Sequence, residues 1–286
     1  MDAYLTVGGV PEYLHWIKDG ASVFLSLCQH AFKRNSLFLR EFDKIFVSSM
    51  SGNPHYKKTI EFLSKRRFAT RREIMQYLKA ASGGSITKLF VDLELCEFIQ
   101  RYVPYNLNET SPSARYAIND EYLQFYFRFV QPIKQRIEAG EFDRDPVLAI
   151  NRQHYAQWLG YVFERFCRRY YYIIAKILGF PAVEYQVGCY FSRKTDAKDP
   201  GFQIDLLFDR KDRVYTVCEI KYKESKINVG IIDEFEHKLE CFPNEKHYTI
   251  QRVLITNTDA DEGLKVRRYF DRIITLTELF DANHWV

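Results

Sequence analysis

The stretch Phe202-Gln-Ile-Asp-Leu-Leu-Phe-Asp-Arg-Lys-Asp-Arg-Val-Tyr-Thr-Val-Cys-Glu-Ile-Lys-Tyr-Lys223 reads as two strands joined by a short charged turn. In the first strand Ile204, Leu206 and Phe208 alternate with Gln203, Asp205, Leu207 and Asp209, so a period of two predicts that Asp205 lies opposite the apolar set. In the second, Cys218, Ile220 and Tyr222 share one face, while Glu219, Lys221 and Lys223 share the other together with Val217. A hairpin that sets Asp205 near Glu219 brings two hard oxygen ligands together beside one ammonium, Lys221. That combination suits Mg²⁺ carrying a coordinated water. The competing reading is structural: Asp205 caps a turn or pairs with Lys221, and Glu219 with Lys221 or Lys223 forms an ordinary ion pair on the sheet.

The flanking sequence supplies further elements. Trp158 to Leu178 predicts an amphipathic helix, with Leu159, Phe163, Phe166, Tyr170, Ile173 and Ile177 at three- and four-residue steps; it also carries Glu164, Arg165, Arg168 and Arg169. A strand from Glu184 to Phe191 precedes the hairpin, and the polar loop from Ser192 to Gly201 would border the cleft. A helix from about Val229 to Cys241 and a strand from Gln251 to Thr256 follow, giving the order α, β, β, β, α, β. Asp271 to Leu276 and a last helix, Thr277 to Ala282, would finish the sheet edge. On the helix after the hairpin, Asp233, Glu234, Glu236, His237, Lys238 and Glu240 read as a solvated face.

Asp205 followed by Glu219-Ile220-Lys221 resembles the signature of the PD-(D/E)xK nucleases, the restriction-endonuclease-like fold. The order of elements is that of the family's core, and Glu164 falls at its first-helix acidic position. The resemblance implies a catalytic set of Glu164, Asp205, Glu219 and Lys221. It implies Mg²⁺ or Mn²⁺ held by Asp205, Glu219 and the Ile220 backbone carbonyl, with Glu164 completing the acidic set. Lys221 would orient or activate the attacking water and offset charge on the scissile phosphate. Arg165 and Arg168 would hold a phosphodiester, although arginines on the wet side of an amphipathic helix are also ordinary.

With 286 residues and 47% apolar residues the chain can build two compact units with ordinary cores. A net charge of +4 permits nucleic-acid binding without demanding it. Cys28, Cys96, Cys167, Cys189, Cys218 and Cys241 are far apart, with no CxxC or Cys/His cluster, and read as reduced core thiols of a cytoplasmic protein. The sequence has no signal peptide and no apolar run of membrane-spanning length.

Towards the N-terminus, Val7-Gly8-Gly9-Val10-Pro11-Glu12-Tyr13-Leu14 resembles the lid motif that follows the P-loop core in a large archaeal and bacterial ATPase family. In that family a winged helix and then a nuclease-like domain follow the lid. No Gly-x4-Gly-Lys-(Ser/Thr) occurs here, since Gly83-Gly84-Ser85-Ile86-Thr87-Lys88 has neither its spacing nor its order. We therefore expect no nucleotide site and no ATPase activity from this chain, which reads either as a fragment or as a core-less relative.

Ala21 to Val47 predicts lid helices with Phe24, Leu27, Cys28 and Ala31 on one stripe, continued by Phe38, Phe42, Ile45 and Phe46. After a break at Gly52-Asn53-Pro54, Tyr56 to Pro132 reads as a winged helix. Its second helix starts with a Thr70/Glu73 capping box and ends at Leu78. Its third helix, capped by Ser85, buries Ile86, Leu89, Phe90 and Leu93. Two strands flank a polar wing at 106–113. Lys65, Arg66, Arg67, Arg71 and Arg72, with Lys88 on the third helix, are the nucleic-acid-binding candidates; a solvated basic face is the alternative. Tyr122 to Val130 resembles the ATPase family's aromatic helix after the wing.

The expected fold class is a multidomain α+β and α/β chain: a helical lid remnant and winged helix, then a restriction-endonuclease-like αβββαβ domain. The expected divisions are 1–52, 53–137, a linker at 138–150, and 151–286. Two functions fit. One is a metal-dependent DNA endonuclease; the other is a non-catalytic DNA- or protein-binding regulatory module of an ATPase-type protein. DNA, a second copy of the chain in a homodimer and a separate ATPase are the partners considered, with no membrane.

Overall fold

A computed structural model describes residues 1–17, 22–49, 53–103, 105, 114–192 and 201–285. The expected wing at 106–113, most of the loop at 192–201, Gly52 and the side chains of Ile45 and Phe46 lie outside the described residues. By its contacts the chain divides into Met1–Val103 with Glu109–Gln157, and Pro104–Asn108 with Trp158–Val286.

Aromatic spacing organises the first unit. Helices α1 (Asp2–Val7), α2 (Pro11–His15), α3 (Val23–Ala31) and α4 (Leu37–Ser49) come first. Gly8 closes α1 at φ 75°, a conformation open to glycine at little cost, and Pro11 sits in the first turn of α2, where its missing N–H is not needed. Tyr13 then packs its ring 5.4 Å from Tyr122 and 6.0 Å from Phe38, and donates its hydroxyl to Glu41 at 3.0 Å.

Tyr122 belongs to α8 (Glu121–Phe125), which Asp120 caps by accepting from the Leu123 N–H at 2.6 Å. The helix widens into a π-helical turn over Tyr126–Val130 and tightens over Gln131–Ile133. Pro132 has no N–H to offer the carbonyl four residues back, so the regular ladder cannot run through it. Tyr126 stacks on Phe42 with centroids 4.6 Å apart. The lid-like segment and the aromatic helix therefore share one buried core.

Next to that core, α5 (Pro54–Ser64), β1 (Ala69–Thr70), α6 (Arg71–Leu78), α7 (Gly84–Leu95), β2 (Ile99–Tyr102) and β3 (Arg115–Ile118) follow in order. The strands form an antiparallel sheet ordered β1-β3-β2. Ile86, Leu89, Phe90 and Leu93 of α7 are buried. The chain enters α7 two residues earlier than expected, from an extended Gly83 that has no side chain to cap it, so Ser85 sits in the first turn instead.

Residues 138–150, read above as a linker, follow α9 (Lys134–Glu138) and are held down. Phe142 is buried under the Arg136 guanidinium, Pro146 is buried, and Arg34 binds the Asp143 carboxylate and the Ala139 carbonyl, each at 2.9 Å. Ile150 is buried as well, and the polar composition hid these apolar anchors.

In the second unit the long helix expected over Trp158–Leu178 is two, α10 (Arg152–Arg169) and α11 (Tyr171–Ile177), broken at Tyr170, which leaves helical geometry. A five-stranded mixed sheet, β4-β5-β6-β7-β8, follows. Its strands are β4 (Tyr185–Phe191), β5 (Gln203–Arg210), β6 (Val214–Lys221), β7 (Thr249–Thr256) and β8 (Arg272–Thr275). β4, β5 and β6 are antiparallel neighbours, while β7 and β8 continue parallel to β6. α12 (Ile231–Cys241) forms the crossover from β6 to β7, α13 (Glu262–Arg267) the one from β7 to β8, and α14 (Leu276–Leu279) follows β8. The chain is thus of mixed α and β class.

The six inner residues of β5 and of β6 are all buried. On one side Leu207, Val217 and Leu254 pack with Phe235 and Leu239 of α12. On the other, Phe180 meets Phe208 and Phe163 meets Tyr222, with centroids 5.4 and 5.5 Å apart. The period-two alternation thus separates two covered faces, so the carboxylates on it are desolvated. Among the described residues, no helix is long and apolar enough to cross a membrane.

The capping box of α6 forms as expected: Thr70 accepts from the Glu73 N–H, and Glu73 accepts from the Thr70 N–H at 2.7 Å. The Thr70 N–H and then its hydroxyl hold the Glu73 carboxyl below the ordinary glutamate value of 4.5. Its contribution is accordingly present above about pH 4.5 and is lost as pH falls through the lowered folded value. We expect Glu73→Ala to cost about 1 kcal/mol at neutral pH. In urea melts run across pH, the gap from wild type should close in acid.

Candidate active site

The site begins where the ladder between β5 and β6 stops. Paired residues run from Arg210↔Val214 to Leu206↔Cys218. One rung further on, the Asp205 side chain replaces the backbone: its Oδ2 accepts from the Ile220 N–H at 3.1 Å, and its Oδ1 accepts from Gln203 Nε2 at 2.9 Å. A residue's N–H and C=O leave a strand on the same edge, so the Ile220 carbonyl belongs to this opening too.

Glu219, in the rung of Asp205, is 1% exposed. Lys221, two residues further along the same face, places Nζ 3.0 Å from Glu219 Oε1 and 3.1 Å from Glu234 Oε2 on α12. Lys238, one turn beyond Glu234, places Nζ 2.8 Å from Glu219 Oε1 and 2.6 Å from Oε2. One ammonium thus spans both oxygens of the buried carboxylate, and a second touches one of them.

Burial pushes the Glu219 carboxyl above its ordinary value and the neighbouring Asp205 charge adds to the rise, while Lys238 and Lys221 oppose it. Burial works to lower the Lys221 ammonium, but its pairing with Glu219 and Glu234 prevails and holds it raised. Burial likewise works against the Glu234 carboxylate; its bond to Lys221, with Lys223 and Lys238 nearby, brings it below the ordinary range.

The structure brings Asp205, Glu219, Lys221 and the Ile220 backbone together. Glu164 lies 3.7 Å from Arg168, one turn further along α10, and Arg168 reaches the Asp205 carbonyl at 3.5 Å. Arg165 is half-buried on the same helix. Among the described residues, no group of three His, Cys, Asp or Glu side chains gathers as a metal cluster. Glu164 is paired with Arg168 on its own helix. The remaining donors fit one hard divalent cation: two desolvated carboxylates and a strand-edge carbonyl, with Glu219 already holding a cation across both its oxygens.

Asp209, on the same face of β5, has structural partners instead. It accepts from the Tyr105 hydroxyl and pairs with Lys246 at 2.7 Å. Lys238, Glu234 and Gln203 were missed by the sequence reading. For the two on α12 a signal existed: positions 234 and 238 flank the buried stripe Ile231, Phe235 and Leu239.

In the first unit, Lys65, Arg66, Arg67, Arg72 and Lys88 are exposed, and Arg71 is half-buried. Arg66 lies 4.0 Å over the Phe62 ring; Arg71 lies 5.0 Å over Phe90 and donates to Thr87 Oγ1 at 2.8 Å. Arg71, Arg72, Gln76 and Lys79 line an open groove of about 680 Å³. The outer face of α7 exposes Val91 and Leu95 beside Lys88, while Asp92 is turned to the Tyr56 hydroxyl.

Comparison with known proteins places these observations among relatives. Residues 126–232 match the family model DUF234, described as archaeal and bacterial proteins of unknown function. Over 228 residues the chain is 29% identical to an uncharacterized protein, MJECL04, of Methanocaldococcus jannaschii, covering 79% of this chain and 48% of the relative. The chain thus spans about half the length of that curated relative. Two solved structures are similar at 12% identity. One is a MepR mutant from a multidrug resistant S. aureus clinical isolate, covering 49% of this chain and 89% of that one with a TM-score of 0.24. The other is Can2 from Sulfobacillus thermosulfidooxidans in complex with cyclic tetra-adenylate, covering 92% of this chain and 58% of that one with a TM-score of 0.27.

Asp205→Ala leaves the Ile220 N–H without its acceptor, a loss of about 1–3 kcal/mol for a buried donor. We expect the Ile220 amide to exchange faster in hydrogen-exchange NMR, while Val217, inside the ladder, keeps its protection.

Proposed function

We propose that this chain is a metal-dependent DNA endonuclease of the PD-(D/E)xK type, carrying a winged-helix nucleic-acid-binding module and related to the C-terminal region of lid-bearing P-loop ATPases. The observation that carries the reading is the meeting of Asp205, Glu219 and Lys221 at the open end of the β5–β6 ladder. The resemblance in sequence supports the nuclease class, the ATPase relationship and Mg²⁺ or Mn²⁺ as the cation.

A bound divalent cation supplies Lewis-acid stabilisation of the phosphate and a water of lowered pKa. Asp205 and Glu219 would hold it, with the Ile220 carbonyl. Lys221, whose ammonium is held raised, stays cationic at neutral pH and therefore serves as an electrostatic partner for developing phosphate charge. It is unsuited to be the base. Arg168, next to the Asp205 carbonyl, and Arg165 on the same helix offer guanidinium groups to the flanking phosphodiester. Lys65, Arg66, Arg67, Arg71, Arg72 and Lys88 would add backbone contacts from the first unit.

The second reading is a non-catalytic binding or regulatory module, acting with a separate ATPase. Val91 and Leu95 favour it: exposed apolar groups on the outer face of α7 suit a protein surface better than phosphates.

Cleavage of single- and double-stranded DNA with Mg²⁺ or Mn²⁺ tests the choice. We expect wild type to cut, and Asp205→Ala and Lys221→Ala to lose at least about a hundredfold in rate while remaining folded by circular dichroism. Equal background cutting by all three would overturn catalysis and leave the binding module.

A further inference from the structure

We propose that Lys238 is a built-in counter-cation of the Asp205 and Glu219 pair, one that gives up its place when a divalent ion enters. This rests on the metal-dependent reading above and concerns how the site exists before the metal arrives. Two neighbouring carboxylates, 7% and 1% exposed, have little water to stabilise their charge. Without cations they would repel each other across a poorly solvated gap. Lys238 answers this by bonding to both oxygens of Glu219, the pattern in which a carboxylate chelates a cation.

The placement also provides an exit. Lys238 arises from α12, whereas the two carboxylates lie on the sheet, and its side chain is 20% exposed, so its flexible stem already reaches solvent. Glu234 sits four residues earlier on the same helix with its side chain 61% exposed, and the two charges already interact. An ammonium released from Glu219 can pair there, at a spacing that favours Glu before Lys. Lys221 is less free to leave, since it joins Glu219 to Glu234 and is raised by both.

Charge balance gives the coupling. Glu219 is matched by Lys238 and by Lys221, which it shares with Glu234, while Asp205 stands beside them with the Ile220 N–H and the Gln203 amide. A divalent ion added beside both lysines would bring two more positive charges into a poorly solvated site, whereas departure of Lys238 removes one of them. Lys238 thereby lets the metal-free site stay folded, at the expense of metal affinity.

The test is Mn²⁺ binding by calorimetry on wild type, Lys238→Met, Lys238→Gln and Asp205→Asn, with thermal melts before and after metal. The proposal expects Lys238→Met and Lys238→Gln to melt lower than wild type without metal, to bind Mn²⁺ about tenfold more tightly, and to gain more from it in Tm. It also expects amine labelling of Lys238 in wild type, read by mass spectrometry, to rise on saturation with Mg²⁺; this arm needs no variant to fold. If Asp205→Asn abolishes binding while the Lys238 variants bind no tighter than wild type and labelling stays constant, the metal reading stands and the counter-cation proposal is overturned. If neither wild type nor the Lys238 variants bind Mn²⁺, both are overturned.

Discussion

A carboxylate that is almost wholly buried must be given a cation, and around Glu219 that requirement shapes the second unit. The strand that carries it, β6, lies in the middle of the sheet with helices over both faces, so water cannot compensate its charge. Lys221 comes from the same strand and Lys238 from the crossover helix, which ties α12 to the sheet by charge as well as by Phe235 and Leu239. Asp205 adds a second negative charge while taking over the Ile220 N–H, so the ladder opens without leaving that donor unsatisfied. Burial strengthens each of these interactions and makes each one costly to lose alone.

The same β-face shows two outcomes for a buried acid. Asp209 is neutralised by Lys246 and accepts from the Tyr105 hydroxyl, which fastens Tyr105 to the sheet. Asp205 and Glu219 are instead set against each other: lysines on flexible stems balance Glu219, while Asp205 has the Ile220 N–H and the Gln203 amide. A pair of like charges held together at the end of a ladder is a ligand set that a divalent ion would relieve, and this is the physical basis of the function proposed here.

Much of this was legible in the sequence, for reasons that can be named. The α, β, β, β, α, β order follows from runs of clear periodicity bounded by turns, and the opposition of Asp205 to Glu219 follows from a hairpin with a short turn. The Thr70/Glu73 box and the buried stripe of α7 were equally plain, because both depend on spacing within one helix. What could not be read depends on tertiary neighbours. Period two separates faces without saying which is covered, so the burial of Asp205 and Asp209 was hidden. Lys238 looked like part of a solvated helix because its partner lies on a different element. The pairing of Glu164 with Arg168 follows from their spacing of one turn on a single helix. The stretch 138–150 looked like a linker because its apolar anchors, Phe142, Pro146 and Ile150, are isolated among charges.

On the function proposed above, the opening between Asp205 and Glu219 is a divalent-cation site. The most direct measurement is anomalous diffraction at the manganese edge from crystals of the protein grown with Mn²⁺. The account predicts one strong peak within bonding distance of an Asp205 and a Glu219 carboxylate oxygen, with the Lys238 ammonium no longer on Glu219. A map with no peak there, and Lys238 still spanning both oxygens of Glu219 at saturating Mn²⁺, would contradict it.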